Sequence, residues 1–333
     1  MPLVSSKEVL NNAMAGGYAV GAFNANNAET AQAIVEAAQE EQSPVIVLVS
    51  QGAIKYAGLE FATAMVRTLA ELATVPVVLQ LDHGTDFLEN VRCLRAGFSS
   101  LMYDGSSTPL EDNIRMTAMV AEMSHAVGVT VEAELGKITK IEDYESLLPS
   151  GYDYSSKLPP EVQKLVKQKM ADPEQAAEFV EKTGCDTLAA AIGSVHGMKR
   201  AIQPLNLERL DAIRQRTGVP IALHGASGVI CTRSDAEEAG IHLEDYEGTL
   251  EDGIAHGVSK INVGTELSME FLRGIREALD ARPGEKDLRK ILLPGKQLVK
   301  EKVRYYINLF GSKGKAGPTH STGLTPSEIK YSE

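Results

Sequence analysis

Residues 75–104 read VPVVLQLDHGTDFLENVRCLRAGFSSLMYD and contain one complete strand–helix–strand unit. The apolar run Val77–Leu81 predicts a buried strand, Asp86–Ala96 has the spacing of an amphipathic helix, and Ser100–Tyr103 predicts the next strand. Two consecutive strands joined by a helix run parallel and form a right-handed crossover. The unit therefore predicts an α/β fold built on a parallel sheet.

The same unit recurs along the chain. Eight strands are predicted, at Tyr18–Asn24, Pro44–Val49, Val77–Leu81, Ser100–Tyr103, Thr130–Glu134, Thr187–Ile192, Ile221–Leu223 and Lys260–Val263. Helical patterns accompany them, at Ala28–Glu41, Glu60–Leu72, Asp86–Ala96, Leu110–Val127, Pro173–Lys182, Leu207–Arg216, Glu247–His256 and Glu266–Asp280. Eight such units without a detectable reversal favour a single closed (β/α)8 TIM barrel over an open doubly wound sheet.

No linker rich in Pro, Gly or Ser divides the chain, so residues 1–310 are predicted to form one barrel domain. Two connections are long, Lys137–Asp172 after the fifth strand and Ile230–Glu244 after the seventh. Loops of this length in a compact domain are usually functional or disordered. Residues 311–333 are rich in Gly, Ser, Thr, Lys and Pro and predict a loosely ordered C-terminal tail.

Composition excludes several classes of protein. The chain has 33 Lys and Arg against 45 Asp and Glu, a formal net charge of −12, whereas nucleic-acid binding needs clustered Lys and Arg. The longest apolar stretches are far shorter than the ~20 residues that span a bilayer, and the N-terminus lacks a signal-peptide layout. Three dispersed cysteines suggest free thiols. A cytoplasmic protein without nucleic-acid or membrane partners is therefore expected.

Active sites of such barrels lie at the C-terminal ends of the strands, where this chain places histidines, carboxylates and glycine-rich turns. These groups are Asn24, Ser50, Asp82-His83-Gly84, Asp104-Gly105-Ser106, Glu132-Ala133-Glu134, Gly193–Gly197, His224–Gly228 and Asn262–Thr265. Three histidines and an open position are typical of catalytic zinc, so His83, His196 and His224 are the predicted ligands. The other histidines lie in predicted helices, the insertion or the tail, and no metal role is expected for them: His125, His242, His256 and His320.

Two glycine-rich turns, Gly225–Gly228 and Gly264–Thr265, follow the neighbouring seventh and eighth strands. Glycine lets backbone N–H groups approach an anion, and this is the usual phosphate position of the fold. The turns therefore predict a phosphate site.

The carboxylates have two possible roles each. Asp82, beside His83, either transfers protons to a substrate or only orients the histidine. Asp104 and Glu134 either hold a second metal or make structural hydrogen bonds. Glu142 and Asp143, in the long connection, are either solvated or the source of a mobile general base.

Six motifs occur in an order that is typical of one enzyme family. They are LDHG at 81–84, YDGS at 103–106, VEAELG at 131–136, VHG at 195–197, HGASG at 224–228 and INVGTEL at 261–267. Together they resemble the zinc-dependent class II ketose-bisphosphate aldolases, most closely the fructose-1,6-bisphosphate branch, from about Val4 to Gly311. The resemblance implies a (β/α)8 barrel that reversibly cleaves fructose 1,6-bisphosphate to dihydroxyacetone phosphate and glyceraldehyde 3-phosphate, as in glycolysis, gluconeogenesis or the Calvin cycle.

The resemblance also implies a role for each matched residue. His83, His196 and His224 would hold a zinc ion that polarises the substrate carbonyl, and Asp82 would be the proton donor. Asp104 and Glu134 match positions that hold a second divalent metal in some members. Dihydroxyacetone phosphate would be bound by Gly197, Gly225, Ala226, Ser227, Asn262, Val263, Gly264 and Thr265. Ser50 matches a contact to glyceraldehyde 3-phosphate, and Asn24 is a further candidate. A monovalent cation (Na⁺ or K⁺) near the phosphate and a homodimer or homotetramer are also implied.

The sequence departs from the family pattern in two loops. Residues 137–146 read KITKIEDYES where the family has a shorter, glycine-rich loop, which leaves the mobile base open, with Glu142 as a candidate. The insertion after the seventh strand contains Arg233, which either reaches a second substrate anion or is solvated.

Four alternatives remain at this stage. A Schiff-base aldolase needs a lysine at a strand end that faces the site. Lys137 follows the fifth strand, but the sixth strand ends in Ile192-Gly193, without a lysine. A metal-dependent hydrolase needs an HxH pair after the first strand, where this chain has Phe23-Asn24-Ala25. A non-catalytic barrel is disfavoured because no metal ligand is lost. Tagatose 1,6-bisphosphate or another ketose phosphate would serve the same site as substrate.

Overall fold

Eight parallel strands close into a barrel in the computed structural model, which describes residues 3–152, 158–198 and 202–317. They are β1 (Val20–Asn24), β2 (Val45–Ser50), β3 (Val77–Asp82), β4 (Ser100–Tyr103), β5 (Thr130–Leu135), β6 (Thr187–Ala190), β7 (Ile221–Leu223) and β8 (Val258–Val263). Each strand pairs with the next along the chain, and β8 pairs with β1 to close the ring. The predicted TIM barrel is confirmed.

Helices cover the outside of the barrel, so the strands are buried on both faces. They are α1 (Ser6–Gly16), α2 (Ala28–Glu40), α3 (Gln51–Ala57), α4 (Leu59–Leu72), α5 (Phe87–Ala96), α6 (Leu110–His125), α7 (Pro160–Lys169), α8 (Pro173–Thr183), α9 (Leu207–Thr217), α10 (Arg233–Glu238), α11 (Leu250–Ala255), α12 (Thr265–Ala281) and α13 (Leu288–Leu309). Every predicted helix is present. Helix α11 begins later than predicted because Glu247–Gly248 pairs with Leu205–Asn206 in a small antiparallel ribbon.

Five helices were not predicted, namely α1, α3, α7, α10 and α13. Helix α13 contains Pro294 and Gly295 in its interior, and both residue types disfavour a helix. A Cβ added at Gly274 of α12 would lie 2.6 Å from the backbone nitrogen of Gly295. The two glycines therefore let α12 and α13 approach closely, and this packing outweighs the low helix propensity.

The long connection after β5 is folded rather than open. It contains a 3₁₀ helix at Ile141–Leu147 and helix α7. Its apolar side chains form a small separate core with residues that follow β6, and this core consists of Ile141, Tyr144, Leu158, Val162, Val166, Val195, Met198 and Ile202. The connection is thereby held against the rim of the barrel.

The start of the predicted tail is attached to the end of α2. The backbone N–H of Gly314 donates to the Glu41 carbonyl at 2.9 Å, that of Ala316 donates to the Gln42 carbonyl at 3.0 Å, and Ser312 is buried. Residues 318–333, including His320, lie outside the described residues. In the described part of the chain, no helix is both long enough and apolar enough to cross a membrane.

Candidate active site

The C-terminal ends of the strands surround a cavity of about 750 Å³. The structure brings most of the predicted site residues to its wall: Asn24, Ser50, Asp82, His83, Asp104, Glu134, Glu142, His196, Gly197, Gly225, Ser227, Asn262, Gly264 and Thr265. These residues lie at or after the ends of all eight strands, so only closure of the barrel assembles them.

His83, His196 and His224 meet at the floor of this cavity. One ring nitrogen from each lies within 4.8 Å of the others. His83 has a backbone φ of 50°, in the left-handed region that is uncommon for non-glycine residues and occurs at functional sites. His224 is fully buried and, unlike His83 and His196, does not itself line the cavity.

Hydrogen bonds fix which nitrogen of two of these histidines faces the site. Nε2 of His224 lies 2.8 Å from Glu132, and Nδ1 of His83 lies 2.7 Å from Asp104. Both nitrogens are hydrogen-bond donors, because an ionised carboxylate can only accept. The remaining nitrogens, Nδ1 of His224 and Nε2 of His83, face each other at 3.0 Å. Nε2 of His196 is buried and has no hydrogen-bond partner among the described residues. This donor set fits a divalent metal ion, and the carboxylate–histidine pairs are typical of groups that orient metal ligands.

The charges around the histidines also favour a cation. Burial opposes protonation of His83, but the negative charges of Asp82, Asp104 and Glu134 raise its pKa to about 10. Burial and the neighbouring His83 and His224 lower the pKa of His196 to about 3. A proton on His83 must leave when a metal binds, since a ligand nitrogen needs its lone pair.

Asp104 and Glu134 form a second donor group with His83. Oε2 of Glu134 is buried without a hydrogen-bond partner among the described residues and lies 3.7 Å from Nδ1 of His83. Burial and the negative charge of Asp104 raise the pKa of Glu134 to about 8. In the arrangement seen here, Asp104 acts as the hydrogen-bond partner of His83.

Asp82 is held between two amide side chains. Nδ2 of Asn24 donates to its Oδ2 at 2.8 Å, and Nδ2 of Asn262 donates to its Oδ1 at 3.3 Å. Burial opposes ionisation, but His83, His224 and the Asn24 hydrogen bond hold the pKa of Asp82 below its usual value. The carboxylate is therefore ionised, oriented and able to accept a proton from a bound substrate.

Sequence reasoning missed a buried ion pair beneath the histidines. Lys260 on β8 has no exposed surface, and its Nζ lies 2.9 and 2.8 Å from the two carboxylate oxygens of Glu132 on β5. Burial disfavours the charged carboxylate, but Lys260 and His224 keep the pKa of Glu132 well below its usual range. The lysine thus keeps Glu132 anionic, and Glu132 in turn accepts the His224 hydrogen bond.

We expect Lys260→Met to weaken zinc binding by about 10- to 100-fold, the typical effect of losing a partner that orients a metal ligand. The substitution keeps an unbranched side chain of nearly the same length but leaves the buried Glu132 charge unpaired. Competition with a chromogenic chelator measures the zinc affinity. Lys300→Met is the matched control, because it breaks the partly exposed Lys300–Glu40 pair between α13 and the end of α2, outside the cavity wall. Equal affinities in the two variants would contradict the role given to Lys260.

The phosphate candidates Gly225, Ser227, Gly264 and Thr265 line the cavity just after the ends of β7 and β8. Gly225 has φ 68°, and a Cβ there would lie 3.1 Å from the backbone of Val195, so glycine is required. Helix α12 begins at Thr265 after Gly264, and no side chain caps its first N–H groups. Free N–H groups at a helix start attract an anion.

Some predicted residues do not reach the cavity. Arg233 lies 3.1 Å from Asp252 at the start of α10 and is not part of the cavity wall. Ala226 and Val263 are buried, and neither lines the cavity. The wall also contains Ser106, Lys137 and Asp143, which were noted after strand ends, and residues for which no site role was predicted: Asn26, Gln51, Gly52, Thr85, Ser107, Ile138, Lys140 and Ser268. Most of these residues come just after the last residue of a strand. Their position after a strand end is the sequence signal that would have found them.

Comparison with known proteins identifies the family. The family model described as "Fructose-bisphosphate aldolase class-II" matches residues 4–315. The chain belongs to this family. The resemblance predicted from the six motifs is thereby confirmed, and enzymes of this class, which are aldehyde-lyases, depend in general on zinc.

Individual relatives agree over nearly the whole chain. The fructose-bisphosphate aldolase of Thermus caldophilus is 43% identical over 325 residues, covering 94% of this chain and 100% of the relative. That of Geobacillus stearothermophilus is 41% identical, covering 95% and 99%. The crystal structure of the YdjI aldolase from Escherichia coli K12 superimposes with a TM-score of 0.74 at 32% identity, covering 94% of this chain and 99% of that one. Membership of class II disfavours the Schiff-base, hydrolase and non-catalytic alternatives.

Proposed function

We propose that this protein catalyses the reversible aldol cleavage of fructose 1,6-bisphosphate to dihydroxyacetone phosphate and glyceraldehyde 3-phosphate. One observation carries the proposal: three histidines with converging nitrogens adjoin the buried, ionised Asp82 at the floor of a cavity in a class-II aldolase chain. The direct test is an aldol-cleavage assay on fructose and tagatose 1,6-bisphosphates, with metal analysis of the same sample. Cleavage of neither would contradict the proposal.

The histidines would hold zinc, which when bound acts as a Lewis acid on the substrate carbonyl. Asp82 accepts the proton of the C4 hydroxyl in cleavage and returns it in condensation, while Asn24 and Asn262 hold its two oxygens in place. Positioned proton transfer of this kind contributes typically about 10²–10⁴-fold. The site residues thus account for cleavage of the C3–C4 bond.

A second proton must move at C3, and Glu142 is the group we assign to it. It lines the cavity from the 3₁₀ helix of the long connection. A Cβ added at Gly197 would lie 3.1 Å from both Glu142 carboxylate oxygens, which places this carboxylate against the segment carrying His196. The small residue at 197 leaves room for it.

Two further ions belong to the proposal. The unpartnered Oε2 of Glu134, together with Asp104, supports a second divalent metal beside the first. A monovalent cation, Na⁺ or K⁺, near the substrate phosphate is supported by the family resemblance alone. We also infer a cytoplasmic location, supported by the three free cysteines, of which Cys93 and Cys185 are buried.

Substrate phosphate is expected to bind at Gly225, Ser227, Gly264 and Thr265. We therefore expect Ser227→Glu to weaken inhibition by a dihydroxyacetone phosphate analogue by at least about 100-fold, because like charges brought together cost several kcal/mol. Inhibition constants of the two proteins measure the effect. Ser227→Gln is the matched control. Its side chain has almost the same size as that of Ser227→Glu but no charge, so it should retain most of the affinity. An unchanged constant in Ser227→Glu would move the phosphate site elsewhere.

A homodimer or homotetramer is part of the proposal. Large apolar side chains are exposed on three successive helices: Tyr56 of α3 at 79%, Phe61 of α4 at 61% and Leu88 of α5 at 60%. Exposed apolar groups of this kind favour association. Light scattering at micromolar concentration should give a mass at least twice 35.8 kDa, and a monomer would contradict this expectation.

A further inference from the structure

The backbone of His83 is held by side chains rather than by the sheet. Strand β3 ends at Asp82, so His83 is the first residue beyond it. Among the described residues, no backbone N–H donates to the His83 carbonyl, and the His83 N–H has only the thioether sulfur of Met102, at 3.4 Å, as its acceptor. A thioether sulfur is a weak acceptor. The position of this backbone must therefore be fixed by some other contact.

The conformation of His83 makes such a contact necessary. Its φ of 50° lies in the left-handed region, which crowds the Cβ atom of any residue other than glycine. Conformations of this kind persist only where the surrounding structure holds them. A return of φ to negative values would redirect the Cα–Cβ bond, and the imidazole would move away from the other two histidines. The backbone conformation and the position of the ring are thus linked.

Gln51, the first residue of α3, supplies a strong hydrogen bond to this backbone. Its Nε2 donates to the His83 carbonyl at 2.5 Å and to Oγ1 of Thr85 at 3.2 Å. The carbonyl can only accept, so the amide nitrogen must face it, and these two bonds use both N–H groups of the amide. The start of α3 is fixed in turn, because Oγ of Ser50 accepts the N–H of Ala53 at 3.2 Å. The amide is therefore anchored on a capped helix.

We propose that Gln51 is a positioning residue of the metal centre, whose amide keeps the His83 backbone in the conformation from which the ring reaches the other two histidines. Asp104 holds the same ring through Nδ1, at 2.7 Å, so one contact orients the ring and the other places the backbone that carries it. The inference rests on the proposed function, because it concerns zinc bound by the three histidines. It adds a residue that acts on the metal only through His83.

Zinc affinity measures the expected effect. Gln51→Met keeps an unbranched side chain of nearly the same length and removes the donor. We expect it to bind zinc about 10-fold more weakly than the wild type, the lower end of the typical loss for a partner that orients a metal ligand. Gln163→Met is the matched control, because Gln163 of α7 donates in the same way to the Leu158 carbonyl, at 2.6 Å, outside the active-site cavity wall. Competition with a chromogenic chelator gives both affinities.

The visible spectrum of the cobalt-substituted protein separates a positioning role from a loss of stability. Co²⁺ accepts imidazole ligands as zinc does, and its absorption depends on the number and geometry of its ligands. Displacement of His83 should change this spectrum in Gln51→Met, whereas Gln163→Met should give the wild-type spectrum. A contact that only stabilised the fold would lower the melting temperature of the metal-free protein and leave the cobalt spectrum unchanged.

The inference requires both a lower zinc affinity and a changed cobalt spectrum, in Gln51→Met and not in Gln163→Met. Either change alone, or equal changes in the two variants, would overturn it, as would a wild-type protein that binds no zinc. Neither measurement requires turnover. If the wild type binds zinc but cleaves neither fructose nor tagatose 1,6-bisphosphate, the proposed function fails, while the same two measurements still decide the role of Gln51.

Discussion

Removal of the metal ion is expected to abolish aldol cleavage, and added zinc to restore it. One nitrogen from each of the three histidines lies within 4.8 Å of the others, and no described side chain on the cavity wall can replace the Lewis acid that a metal ion would supply. Loss of a metal's charge stabilisation costs several kcal/mol at the transition state, or at least about 10³-fold in rate. The measurement is the cleavage rate after dialysis against a chelator and after stepwise zinc addition, with bound metal determined at each step.

Histidine variants separate the site from the rest of the protein. His224→Ala should lose both zinc and cleavage, whereas His242→Ala, an exposed histidine outside the cavity, should retain both. Treatment with borohydride in the presence of substrate should not inactivate the enzyme, because no Schiff base forms. Chelator resistance combined with borohydride inactivation would instead require a lysine nucleophile, and the zinc assignment would have to be abandoned.

Asp82→Ala is expected to lose about 10²–10⁴-fold in cleavage while it keeps zinc and much of the exchange at C3 of dihydroxyacetone phosphate. The reason is that Asp82 is assigned to the C4 oxygen, which is present only when the aldehyde half is bound. Its carboxylate lies 3.9 Å from Nε2 of His83, beyond hydrogen-bond distance, so the structure does not make it the group that orients this ligand. Asp104, at 2.7 Å from Nδ1, has that position.

Three measurements on one preparation decide the matter: zinc content, cleavage rate and solvent-deuterium exchange. Asp82→Asn is the matched variant, since it keeps the size of the side chain and removes its charge and its ability to take a proton. It should resemble the alanine variant in cleavage. If cleavage and exchange fall by the same factor together with zinc content, Asp82 orients the metal site and its assignment to proton transfer fails.

The sequence by itself determined the barrel and the rim at which the candidate site residues meet. Strands β4 and β7 agree with their predictions at both ends, and the other six agree to within two residues, because strands buried on both faces are continuous apolar runs. Parallel strands bring their C-terminal ends to one rim, so residues that directly follow strands can be predicted to meet. In the structure Asp82 and His83, and His196 far along the chain from them, line one cavity.

Only the tertiary structure decided which other groups join them. Lys260 and Glu132 lie inside strands, and whether a strand residue points into the barrel or toward the helices depends on the register of all eight strands, which no local pattern specifies. Arg233 and Lys140 both lie in loops that the sequence marks as unusual. Arg233 is paired with Asp252 away from the cavity, whereas Lys140 lines the cavity. The difference arises because backbone hydrogen bonds from Thr139 and Ile141 to His196 hold the loop of Lys140 at the rim.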